Sequence, residues 1–217
     1  MDPQTTAGRY MRPLDEHALF TDGATSWRTD IATYRALENV VESASWHAPK
    51  SLPADSGLIV ERPLGRLSDH AKREAQSALT EMLNDPSLVP NLRMLGLLEV
   101  GEVELQNGAL DHGWHHDGLA GKRHGHAGDF FCITYFSERR WEDDWGGHFE
   151  YGVRPLGDHW PASNFQPQGE IKRIAPAART TLLGWNQNPC LVHRSAPLKE
   201  LRDRITMIAS VRLRPRD

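Results

Sequence analysis

After Pro90 the chain changes texture, and that change limits the fold more than any other feature. Apolar, β-branched and aromatic residues come in short runs: Leu92 to Leu105, Asp129 to Ser137, Gly147 to Val153, Ile171 to Ile174, Thr180 to Gly184, Cys190 to His193 and Arg204 to Leu213. Turn residues separate them, and no segment of helical periodicity lies between. Short strands without crossover helices do not build a parallel sheet; they predict a sandwich or a barrel.

The preceding third reads differently. Ile31, Tyr34, Leu37, Val40 and Val41 recur at helical spacing behind Asp30, a suitable N-cap, and predict an amphipathic helix from Asp30 to Ser45. A second helix starts at Ser68 or Asp69, with Ala71, Ala75, Ala78, Leu79, Met82 and Leu83 on one stripe and Asp85-Pro86 closing it. The first 30 residues, broken by Pro3, Gly8, Pro13 and Gly23, are expected to form an extended arm without an element of its own. Leu58-Ile59-Val60 is a short candidate strand after the interruption at Pro49 and Pro53. The expected organisation is a single domain over residues 1–217, mainly β, with an N-terminal arm and two support helices in 1–91 packed on one sheet of a β-core in 92–214.

Composition removes several function classes. The 217 residues carry 25 basic and 29 acidic side chains, a net charge of −4, which leaves no electrostatic footprint for nucleic acid. No apolar run approaches the ~20 residues of a spanning helix, and the polar stretch from Met1 to Tyr10 has no signal-peptide core, so no membrane partner and a cytoplasmic location are expected. Cys132 and Cys190 are expected to be reduced packing residues.

Eight of the eleven histidines fall between His112 and His193. In Gly113-Trp114-His115-His116-Asp117-Gly118, His115 and Asp117 are two apart and share a face of an extended chain, whereas His116 points to the other. A lone His-x-Asp is a weak signal. It gains weight from His193, 76 positions beyond Asp117 at the end of an apolar run, because distant strands meet in a sandwich. Two imidazoles and one carboxylate make the facial triad that holds Fe(II) and leaves positions open for cosubstrate and dioxygen. His124-x-His126 with Asp129 is a competing pair in a glycine-rich segment.

Eleven positions after His193, Arg204 opens the run Arg204-Ile205-Thr206-Met207-Ile208. Arg204 and Thr206 alternate onto one face, where a guanidinium can take the far carboxylate of a dicarboxylic acid whose other end chelates the metal. Arg202 shares that face and stays open as an alternative, with Arg204 preferred because it stands at the strand start.

With these residues in order, the chain resembles the iron(II) and 2-oxoglutarate dependent dioxygenases, in their prolyl 4-hydroxylase-like branch. The match runs through His115-x-Asp117-Gly118, then Cys132-Ile133-Thr134-Tyr135-Phe136-Ser137 where that branch has a Tyr-Leu-Asn ending, then Trp145-Gly146-Gly147-His148-Phe149-Glu150 against a Gly-Gly-x-Leu turn, and then His193 with Arg204-x-Thr206. The resemblance implies a double-stranded β-helix, or jelly-roll, with two support helices. It also implies Fe(II) on His115, Asp117 and His193, and 2-oxoglutarate anchored by Arg204 with help from Thr206 and the Tyr135 hydroxyl. Dioxygen would be consumed with decarboxylation of 2-oxoglutarate to succinate, and hydroxylation is the default outcome. The spacing from His193 to Arg204 is a little longer than is common in the branch, and Asp117 stands against the halogenase variant.

Trp114, Trp145 and Trp185 are candidate substrate contacts, set against the ordinary role of tryptophan in packing. Glu142, Asp143 and Asp144 are consecutive acids at the expected cavity mouth, able to attract an amine. The functional expectation is hydroxylation of a C–H bond in a polar small molecule, such as an amine-bearing natural product. Prolyl hydroxylation of a protein or peptide, and a non-catalytic cupin-like metal-binding jelly-roll, are the alternatives.

Overall fold

The computed structural model describes residues 13–53, 59–108, 113–116, 128–154, 166–188, 191–199 and 202–215. The N-terminal part holds α1 (Glu16–Asp22), β1 (Ala24–Arg28), α2 (Ile31–Glu42), β2 (Ser45–Pro53), β3 (Ile59–Arg66), α3 (Asp69–Leu83) and the single turn α4 (Leu92–Leu95). Then come β4 (Gly96–Asn107), β5 (Phe130–Tyr135), a 3-10 turn (Asp143–Trp145), β6 (Phe149–Val153), β7 (Lys172–Ile174), β8 (Thr180–Trp185), β9 (Leu191–Ser195) and β10 (Ile205–Pro215). The strands form two antiparallel sheets, a large one in the order β1-β8-β5-β10-β4-β3-β2 and a small one in the order β7-β6-β9. The architecture is mainly β, in keeping with a jelly-roll. Among the described residues, no helix is long and apolar enough to cross a membrane.

Alternation, reset once on β4 between Val100 and Val103 by the register shift against Ala209 and Val211 of β10, divides the large sheet into two faces. Phe130 and Cys132 on β5, Leu183 on β8, Leu98, Val100, Val103 and Leu105 on β4, and Met207, Ala209 and Val211 on β10 face outward. They share one apolar cluster with Leu37, Val40 and Val41 of α2 and Ala71, Ala75, Leu79, Met82 and Leu83 of α3. The residues between them, Phe131, Ile133, Tyr135 and Leu182, face the small sheet and meet Phe149, Tyr151, Ile174 and Leu191 there. Both faces of β5 are therefore covered, and all six of its residues are buried.

The two support helices begin where their caps stop the backbone fraying. The Asp30 carboxylate accepts from the amides of Ala32 and Thr33 at 3.0 and 3.1 Å, and the Ser68 hydroxyl accepts from the amide of Ala71 at 3.1 Å. The expected arm is different. Residues 16–28 form α1 and β1, because Asp15 caps the helix, Gly23 ends it in the left-handed conformation (φ 90°), and Ala24 to Arg28 pairs with β8. Residues 1–12 lie outside the described residues. β2 forms through Pro49 and Pro53, at the edge of the sheet, with a register shift between His47 and Lys50. Because β1, β2 and β3 all join the large sheet, that sheet does not respect a boundary at residue 92.

Cys132 is a free, buried thiol whose burial pushes its pKa up to about 12, in line with a packing role; Cys190 lies outside the described residues.

Candidate active site between the two sheets

His193 lies in the middle of β9, opposite Tyr151 of β6. It is only 6% exposed. Its imidazole is flanked by the rings of Phe131 and Phe149, with centroids 4.9 and 5.3 Å away at interplanar angles of 31° and 28°. On its free side β9 receives His115 through an isolated antiparallel bridge, with each backbone amide donating to the other's carbonyl at 3.0 Å. Residues facing each other across such a bridge project to the same side, and the two imidazoles stand 4.3 Å apart, edge to face.

His115 Nδ1 lies 3.0 Å from the Gly113 carbonyl. A carbonyl only accepts, so Nδ1 carries the proton and Nε2 keeps its lone pair, the tautomer a metal requires. His116 points the other way. It is 5% exposed, and its Nε2 donates to the Asn188 carbonyl at 2.9 Å. Among the described residues no three candidate ligands converge; Asp117, His112, His124 and His126 lie outside them. The paired imidazoles, with one tautomer held, suit a borderline divalent ion such as iron(II).

The second half of the site comes from the large sheet. Thr206 of β10 stands directly opposite Tyr135 of β5, and Arg204 precedes Thr206 by two positions on the same face. Arg204 is 4% exposed and reaches across to the other sheet, where its Nη1 donates to the carbonyls of Gly147 at 2.7 Å and Ala196 at 3.1 Å. Burial lowers the Arg204 pKa, and the neighbouring Tyr135 opposes that shift. Burial likewise holds the Tyr135 phenol above its ordinary value, with Arg204 pulling it back. At neutral pH the pair is a cation beside a neutral hydroxyl, a suitable receptor for a carboxylate. Thr206 Oγ1 donates to the Gln106 carbonyl at 3.3 Å.

Thr134 is excluded from this face by the same alternation; its hydroxyl pairs with Thr181 at 3.0 Å. Arg202 is also engaged elsewhere, donating to Glu138 Oε1 at 2.6 Å with its guanidinium 3.5 Å from the Trp145 ring centroid. Between the two sheets the turn at Gly146 and Gly147 needs glycine twice, with φ of 72° and 71°. It places the Gly147 carbonyl on Arg204, while Trp141 Nε1 donates to the Gly146 carbonyl at 2.8 Å.

The three tryptophans separate. Trp145 is the face on which Arg202 stacks. Trp185 packs with the helix-facing cluster, with its ring edge-on to Phe20 at 5.3 Å, and it also borders a small crevice beside His193. Trp114 meets Arg194, whose guanidinium carbon is 5.0 Å from its ring centroid. In the acidic stretch Glu142, Asp143 and Asp144 are exposed, and Asp143 Oδ1 lies 3.2 Å from the buried His148.

Two features escape a reading based on motifs. Ser137 continues the Tyr135 face and, by extension of the ladder through Phe136 and Ile205, falls opposite Arg204, with a buried hydroxyl that has no hydrogen-bond partner among the described residues. Strand alternation beyond Tyr135 is the signal that finds it. The other is Gly184, where a Cβ would overlap the Phe131 ring. Nothing local in the sequence marks it.

No family model matches the chain, and no curated protein does. Solved structures do. A 2OG-Fe(II) oxygenase family oxidoreductase from Burkholderia pseudomallei aligns over 92% of this chain and 89% of its own, with a TM-score of 0.56 and 12% identity. A prolyl-4-hydroxylase from Pseudomonas putida aligns over 91% and 96%, at 0.55 and 15%. The non-heme alpha ketoglutarate dependent epimerase SnoN from nogalamycin biosynthesis aligns over 92% and 84%, at 0.54 and 11%. The chain thus has the fold of the 2-oxoglutarate dependent iron(II) oxygenases, across nearly its whole length and theirs.

Proposed function

We propose that this protein is an Fe(II) and 2-oxoglutarate dependent dioxygenase that hydroxylates a C–H bond of a polar small molecule. The observation that carries the reading is the division of the site: paired imidazoles on the small sheet and a buried arginine with a tyrosine and a threonine on the large one. In this reading His115, His193 and Asp117 hold the metal. Bound iron, with 2-oxoglutarate and dioxygen, supplies the oxidant while the cosubstrate is decarboxylated to succinate.

The chain's own contributions follow from its side chains. Arg204 binds the distal carboxylate of 2-oxoglutarate, and Tyr135 and Thr206 supply hydroxyls to it. The Gly147 and Ala196 carbonyls fix the guanidinium before the ligand arrives, which lowers the ordering cost of binding. Phe131 and Phe149 hold the His193 ring and keep water from that side. The exposed acids at 142–144 favour an amine-bearing substrate by charge.

The test is anaerobic. Fe(II) followed by 2-oxoglutarate added to metal-free protein is expected to give the weak visible charge-transfer band of a chelated keto acid. In Arg204→Ala the band should require at least ~10-fold more 2-oxoglutarate, given the ~1.5–3 kcal/mol typical of a hydrogen bond to a charged group. Metal uptake without a band would favour the cupin-like alternative, and no metal uptake would sink the ligand assignment. Succinate release against a panel of amines, polar acids and prolyl peptides then ranks the substrate classes.

A further inference from the structure

The outer side of the small sheet, behind the two histidines, carries a continuous chain of contacts. Adjacent residues on an extended backbone point to opposite faces. The rung next to the His115–His193 bridge therefore brings Trp114 and Arg194 together on the side away from the histidine rings, where the Arg194 guanidinium carbon stands 5.0 Å from the Trp114 ring centroid. Arg194 Nε and Nη2 both donate to Glu150 Oε2 at 2.8 Å, and Arg173 Nε donates to Glu150 Oε1 at 2.9 Å. Glu150 is 5% exposed and lies opposite Arg194 on one side and Arg173 on the other. One line of side chains thus runs from β7 across β6 and β9 to the segment that bears His115.

Among the described residues, the segment that bears His115 meets β9 through two backbone hydrogen bonds, and His116 Nε2 donates to the Asn188 carbonyl at 2.9 Å. A metal site demands more, that its ligands be set within ~0.5 Å by their supporting groups. The Glu150 carboxylate, held from two sides, fixes the Arg194 guanidinium, and the guanidinium presents its face to the indole.

We infer that Trp114, through Arg194 and Glu150, is a positioning residue that clamps His115 against His193 for metal binding, and that it does not contact substrate. The inference rests on the metal-dependent reading above. It replaces the expectation that Trp114 lines the substrate cavity, because its ring belongs to the face opposite the two imidazoles.

The test is cobalt(II) titration of metal-free protein, followed by the visible absorption of the bound ion, with the melting temperature of the metal-free protein measured in parallel. Trp114→Ala and Arg194→Leu are each expected to weaken cobalt binding ~10–100-fold, the usual range for groups that orient a ligand. Their double variant should be no weaker than the poorer single, because both break one contact. Trp114→Phe keeps an aromatic face for the guanidinium and should recover most of the affinity. Losses confined to melting temperature, with cobalt affinity unchanged in Trp114→Ala and Arg194→Leu, would overturn the clamp, as would losses that add independently. If Trp114→Ala does not fold, Trp114→Phe and Arg194→Leu carry the comparison. Wild-type protein that takes up no cobalt would instead overturn the metal reading beneath it.

Discussion

Phe131 shows how one backbone position without a side chain can shape the proposed metal site. Its ring lies over Gly184, its partner across β5 and β8, and from there it packs against His193 at 4.9 Å and Phe149 at 5.9 Å. Adding a methyl group at Gly184 forces the ring off that seat, where it packs against the imidazole. Gly184→Ala is expected to cost about 1–3 kcal/mol, the range for overpacking a core. It should also weaken divalent metal binding by displacing His193. Urea unfolding of the metal-free protein and manganese(II) titration of the same sample read the two effects separately. Unchanged unfolding with unchanged metal affinity would mean that the core absorbs the methyl. The residue scale is also where the sequence is most legible for the site: two-residue alternation alone puts His115 and His116 on opposite faces, and the structure gives them different partners. Gly184 was not legible, because its role depends on a ring brought to it by strand pairing.

At the scale of elements, local signals were readable and pairing was not. α2 and α3 begin at Asp30 and Ser68 because cap and apolar stripe coincide in the chain, and the strand runs after Pro90 reappear as β4 to β10, except that Leu92–Leu95, expected in the first run, form the helical turn α4 and the strand starts at Gly96. α1 and β1 were missed because they gain their stability from neighbours. β1 is a sheet strand only by virtue of β8, and α1 is tied down by Glu16. The Glu16 carboxylate, 8% exposed, accepts from the backbone amides of Asn91 and Leu92 at 3.1 and 2.9 Å, which otherwise have no helical partner at the start of α4. Glu16→Ala leaves those amides without their carboxylate acceptor and is expected to lower stability by about 1–3 kcal/mol. The effect should appear as a lower urea midpoint with an unchanged slope, since only native-state contacts are lost. Its effect on cobalt affinity should be small, because the Glu16 carboxylate bonds the amides of Asn91 and Leu92 and not either histidine; a large loss of affinity would mean that α1 supports the site directly.

At the scale of the whole molecule, the proposed function has the two sheets divide the work of holding one small cosubstrate. His193 belongs to the small sheet and His115 is bridged to it, whereas Thr206 and Tyr135 belong to the large one and Arg204 immediately precedes its β10. In the proposed reading, a keto acid chelated at one end and bound by the guanidinium at the other ties the sheets together only in the native state. A ligand of that kind stabilises the fold by RT ln(1 + [L]/Kd), about 2.7 kcal/mol at a hundredfold excess over Kd. For a chain of this size that corresponds to roughly 5–10 °C in melting temperature, at ~2–4 °C per kcal/mol. Manganese(II) alone should give part of the shift, and manganese with 2-oxoglutarate should give clearly more. Arg204→Ala should keep the metal increment and lose most of the 2-oxoglutarate increment, because chelation at the metal survives while the far carboxylate loses its partner. A melting temperature that rises with manganese and does not rise further with 2-oxoglutarate would mean that the space between the sheets holds a metal without bridging to the arginine, and the division of labour proposed for the two sheets would fall with it.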